Sequence, residues 1–109
     1  MTEQVSEVVV LVTASSQEEA IKLANLAVEA KLAACATVLP HVRSIYRWEG
    51  KIHDEQESLI VFKTASRFFS ALEEAIKRHH SYSVPEIIAL PIILGSQPYL
   101  DWLKGELLK

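Results

Sequence analysis

The sequence predicts an α+β fold, a four-stranded antiparallel sheet with two helices on one face. Three observations predict it. A β-branched run begins at Val8, two stretches with apolar residues every three to four positions begin at Ala20 and Phe68, and a long hairpin pattern from Ala33 to Thr64 lies between them. With 109 residues, 50% hydrophobic and 23% charged, the chain suits a single globular domain, residues 1–109, built on one core.

Val8 to Thr13 is a β-branched run, the pattern of a strand buried on both faces. It ends at "SSQEEA", where Ser15 or Ser16 with a glutamate three residues later makes a capping box. Ala20, Ile21, Ala24, Ala27, Val28 and Leu32 then mark the apolar face of a first helix. Two long strands follow, joined by a tight turn at Glu49-Gly50, where glycine supplies the positive φ that hairpins demand. Val42, Ser44, Tyr46 and Trp48 share one face of the first arm and Arg43, Ile45 and Arg47 the other. Pro40 cannot donate to a ladder, so a bend or bulge is expected there. A second helix begins at Ser66 with Phe68, Phe69, Leu72, Ala75 and Ile76 on its stripe. The strand "EIIALPIIL" and a short C-terminal helix from about Pro98 to Leu107 complete the chain. The order β-α-β-β-α-β-α is the split βαβ, or ferredoxin-like, arrangement with an added C-terminal helix.

The central hairpin is long for its body. Ala33 to Trp48, extended, would reach roughly 50 Å, whereas a domain of this size is only about 33 Å across. A ribbon that overruns the globule exposes apolar surface and unpaired edge, so a homo-oligomer closed by strand pairing is expected.

Several classes are disfavoured. The net charge is −3 and the basic residues are scattered singly, which leaves no phosphate footprint for nucleic acid. The longest apolar runs, "VVVLV" and "IIALPIIL", fall well short of the ~18 residues of a membrane-spanning helix. "MTEQVSEVVV" lacks a basic segment and a cleavage motif, so no secretory leader is expected. The single cysteine, Cys35, suits a reducing cytoplasm. No Ser-His-Asp order, Gly-rich phosphate loop or paired catalytic carboxylates support an enzyme.

The stretch "KRHHSYSVPEI" carries the densest candidate chemistry. On a continuous helix His79 lies about 20° from the centre of the apolar stripe and His80 about 80° away, so His79 is expected inward and His80 sideways. Adjacent helical residues do not face each other, so the pair can chelate one ion only if the helix has unwound there. Cations at a helix C-terminus also complement its dipole without any metal. Cys35 reads as a core filler with no neighbouring cation. Lys63 is expected to pair with a carboxylate such as Glu86, which Pro85 holds near the helix end beside Tyr82. Glu49, Asp54, Glu55 and Glu57 with His53 read as a solvated hairpin surface. Tyr99 and Trp102 read as helix-packing aromatics or as rim residues of an interface.

The stretches "KLAACATVLP", "SIYRWEGKI", "FKT", "HHSYSVPEIIALPI" and "YLDWL" occur in this order across nearly the whole chain. Together they resemble the CutA family of divalent-cation-tolerance proteins. The resemblance implies a ferredoxin-like homotrimer whose hairpins pair between subunits, in a cytoplasmic bacterial or organellar setting. It also implies a non-enzymatic link to copper tolerance, with Cu2+ or another divalent metal as ligand and His79 and His80 at the paired-histidine ligand positions. Val12 stands where some relatives carry a cysteine ligand and offers no donor. Ser81 stands where the family usually has proline, which would loosen the turn after His80. A second expectation is a trimer similar in architecture to the nitrogen-regulatory PII proteins. It would bind a small anion or a partner in an inter-subunit pocket near Cys35, Lys63, Tyr82 and Glu86.

Overall fold

The computed structural model describes residues 6–109; residues 1–5, part of the segment read as lacking a leader, lie outside the described residues. The elements are β1 (Glu7–Ala14), α1 (Gln17–Glu29), β2 (Cys35–Trp48), β3 (Lys51–Ala65), a 3-10 turn (Ser66–Phe68), α2 (Phe69–His79), β4 (Ile87–Pro91) and α3 (Gln97–Gly105). The strands form one antiparallel sheet in the order β2-β3-β1-β4. This is the ferredoxin-like α+β fold.

The two-residue side-chain period divides the sheet into a core face and a helix-free face. Val8, Val10, Val12 and Ala14 of β1 and Ile60 and Phe62 of β3 point to the core, against Ala20, Leu23, Ala24 and Ala27 of α1 and Leu72 and Ile76 of α2. Val9, Leu11 and Thr13 are half-buried on the other face, so β1 is not buried equally on both sides. A second cluster, Ala34, Ala65, Leu103 and Leu107, docks α3 at the far end of the sheet. Tyr99 and Trp102 do not join it. They stay partly exposed and touch each other with ring centroids 5.5 Å apart.

Ser16 caps α1, its hydroxyl accepting from the Glu19 N–H at 3.1 Å. The helix stops at Glu29, and Lys31 takes a left-handed φ of 60° that turns the chain toward β2. Leu32 therefore lies beyond the helix, and Ile21 and Val28 are exposed. The buried stripe runs through Leu23 instead.

The hairpin turns at Glu49 and Gly50, with φ of 50° and 78°, the left-handed pair of a type I′ turn. Pro40 produces the expected bulge. The register passes from Leu39↔Leu59 to Val42↔Glu57, one residue more on β2 than on β3. The Pro40 carbonyl left over by the bulge accepts the buried Ser58 hydroxyl at 2.9 Å. The longest dimension is 43 Å, shorter than the roughly 46 to 50 Å of straight β2 and β3 arms. The bulge thus bends the ribbon, yet the radius of gyration, 14.6 Å, exceeds the ~13 Å of a compact domain of this length. Both the bend and the overrun are present, and Ile45 and Ile52 near the tip are largely exposed.

Candidate functional site

Helix α2 ends at His79, and His80 is already extended, with φ −84° and ψ 144°. The 100° step between the two histidines is lost, and their expected orientations are reversed. His79 is exposed, whereas the His80 side chain is fully buried, at 0%. His79 Nδ1 lies 3.0 Å from the Ala75 carbonyl. A carbonyl only accepts, so Nδ1 carries the proton and Nε2 keeps a free lone pair toward solvent. His80 Nε2 donates to the Thr13 carbonyl at 2.7 Å, while Nδ1 accepts the Tyr82 N–H at 3.0 Å. The same reasoning makes His80 a neutral imidazole with both nitrogens engaged.

Glu19 fastens this turn to the start of α1. Its carboxylate accepts the Ser15 N–H and hydroxyl at 2.9 and 2.8 Å, and the Ser81 N–H and hydroxyl at 2.7 and 3.0 Å. Burial alone would raise its carboxyl, but the four hydrogen bonds prevail and hold it at about 2. The expected loosening at Ser81 does not occur. Serine keeps an N–H that proline lacks, and that N–H is one of Glu19's donors.

Beyond the turn, residues 81–86 face the hairpin across a cavity of about 560 Å3 whose lining includes Tyr46, Trp48, Glu57, Tyr82, Val84 and Glu86. Tyr82 donates to Glu57 Oε2 at 2.6 Å. Burial and the neighbouring Glu57 carboxylate both push the Tyr82 phenol well above its usual range. Tyr46 donates to Glu55, which raises its phenol to about 12. Glu57 is 7% exposed, so the hairpin's acidic group is not uniformly solvated. Its parity with Leu59, Val61 and Lys63 on β3 was the available signal. Read past Leu59, the alternation carries Glu57 onto the helix-free face under the 81–86 segment.

Tyr82 and Glu86 therefore share one cavity, but Cys35 and Lys63 do not. Those two lie opposite each other at the other end of the ladder, six residues or about 20 Å along β3 from Glu57. Lys63 Nζ meets Cys35 Sγ at 3.5 Å instead of pairing with Glu86, and the Tyr99 hydroxyl approaches the same sulfur at 3.6 Å. Cys35 is half-buried on the helix-free face and has the cationic neighbour that the sequence did not reveal, because β2–β3 register rather than chain proximity supplies it.

Of the paired histidines, His79 alone offers a divalent metal a free imidazole nitrogen, its Nε2. Among the described residues, no three histidine, cysteine, aspartate or glutamate side chains converge to hold an ion. Val12 is a fully buried core residue. The described residues of one chain alone do not complete a metal site.

The CutA1 divalent ion tolerance protein family matches residues 8–106. The chain belongs to this family. It is 48% identical over 98 residues to the divalent-cation tolerance protein CutA of Thermus thermophilus, covering 90% of this chain and 95% of that one. It is 45% identical over 102 residues to the chloroplastic protein CutA of Arabidopsis thaliana, spanning 94% of this chain but only 56% of that relative's length. The crystal structure of CutA1 from Oryza sativa superposes with a TM-score of 0.93 at 42% identity, covering 96% of each chain. Among the described residues, no helix is long and apolar enough to cross a membrane.

Proposed function

We propose that this CutA-family chain acts in divalent cation tolerance as a non-enzymatic, cytoplasmic homotrimer that binds divalent metal, copper foremost. The observation that carries the reading is the free Nε2 of His79, exposed at the C-terminus of α2. There the helix dipole favours a cation, and imidazole suits copper above other first-row divalent ions. One imidazole does not chelate, so the remaining donors come from neighbouring copies. His80 joins only by exchanging its hydrogen bond from Tyr82, since both of its nitrogens are engaged. The single cysteine is compatible with the reducing cytoplasm, and relatives named chloroplastic extend the setting to organelles.

Three features support assembly of copies. The helix-free face carries Val9, Leu11, Leu39, Leu59, Val61 and Ile88, which belong to neither buried core cluster of the described residues. Both β2 and β4 are edge strands, and the hairpin overruns the domain.

Titrating copper into wild type, His79→Ala and His79→Ala/His80→Ala by calorimetry tests the proposal. Affinity falls at least tenfold in His79→Ala; an unchanged affinity in the double variant removes these ligands. The PII-like alternative draws on the cavity beside Tyr82 and Glu86, but its lining is acidic and Lys63 lies elsewhere, so a small anion does not suit it.

A further inference from the structure

The cavity that Tyr82 and Glu86 share has a chemistry of its own, separate from the copper reading, because neither His79 nor His80 is among the residues lining it. Its floor is Glu57, only 7% exposed. The partner the structure gives this carboxylate is the Tyr82 hydroxyl, on Oε2. Among the described residues, Oε1 has no partner and neither oxygen has a cationic one. Oε1 opens to the solvent of the cavity, and among the described residues no cation balances this enclosed carboxylate. The surroundings make this worse, for Glu86 also lines the cavity, Glu55 stands two positions along β3 from Glu57, and no lysine or arginine is part of the lining. The walls are the aromatic rings of Tyr46, Trp48 and Tyr82, whose faces attract cations, with indole the strongest. Ile45 and Val84 add apolar surface.

We propose that this cavity is a binding site for a small organic cation, an alkylammonium whose apolar body lies against Trp48, Tyr46 and Val84 and whose ammonium reaches Glu57 Oε1. The three N–H donors of a primary ammonium supply what Oε1 lacks and are shared with Glu86 at the rim. An anion meets two carboxylates. A neutral apolar molecule leaves Oε1 unsatisfied. A bare divalent ion finds no converging set of three donors here. The volume, about 560 Å3, lies within the ordinary range of small-molecule sites.

Calorimetric titration of the assembled protein with n-butylammonium chloride, and with sodium butyrate as the anionic isostere, tests the assignment. Butylammonium binds and butyrate does not. Glu57→Gln weakens butylammonium at least tenfold. Trp48→Leu, at a position outside both buried core clusters, weakens it several-fold while the assembly's mass in native mass spectrometry is retained. Both variants retain copper binding. Equal binding of butyrate, no heat with butylammonium, or unchanged affinity in both variants overturns the proposal. So does a structure of the assembled protein in which a lysine or arginine of a neighbouring copy occupies Glu57 Oε1.

Discussion

Glu19 gives the fold an acid-sensitive fastening whose strength can be calculated. Its carboxyl is held at about 2 against an ordinary 4.5, and its side chain is 14% exposed, so the ionised form favours the folded state by about 3 kcal/mol. The folded value lies below the unfolded one. The stabilisation is therefore complete above pH 4.5 and is lost as pH falls toward 2. Glu19→Gln keeps the size but removes the titration, and its amide directs N–H groups toward the Ser15 and Ser81 donors. Urea unfolding at pH 7, followed by circular dichroism at one protein concentration, should show the variant weaker by about 3 kcal/mol, a midpoint shift of roughly 2 M for a domain of this size. Between pH 5 and pH 2.5 the wild type should lose stability more steeply than the variant, and the difference isolates Glu19 from other carboxylates such as Asp54. A variant within about 0.5 kcal/mol of wild type at pH 7, the scatter of ordinary surface changes, or one with the same acid slope, would refute the reasoning.

Three further outcomes follow from the geometry. Lys31→Gly relieves a left-handed residue at the end of α1 and should stabilise by up to about 1 kcal/mol, read as a higher thermal midpoint. Ser58→Ala leaves the Pro40 carbonyl of the bulge without its donor and should cost about 1 to 3 kcal/mol in denaturant unfolding. All three tyrosines are raised: Tyr46 to about 12 by its hydrogen bond to Glu55, Tyr82 by burial and Glu57, and Tyr99 by Cys35 and burial. Phenolate absorbance should therefore stay low through pH 10, where an unfolded chain is half ionised, and stability should decline as pH rises from 10 through the folded values.

The element order, the Glu49-Gly50 turn and the Pro40 bulge were legible because each rests on local chemistry: a two-residue or 3.6-residue period, a positive φ, a missing N–H. The orientation of the histidines was not. A helical wheel assumes a helix, and α2 stops at His79 because His80 finds the Thr13 carbonyl, a partner on another strand. The Lys63–Cys35 contact and the buried Glu57 escaped for the same reason, since register across β2, β3 and the 81–86 segment decides them. The family resemblance supplied the paired histidines' proposed role; the structure adds that, of that pair, only His79 holds a free nitrogen.

Native mass spectrometry during a copper titration tests the central claim most directly, because it reads assembly and metal load together. The account predicts a species of three 12.2 kDa chains that gains copper in wild type and loses it in His79→Ala. A 12.2 kDa monomer, or a trimer whose copper load is indifferent to His79, would contradict it.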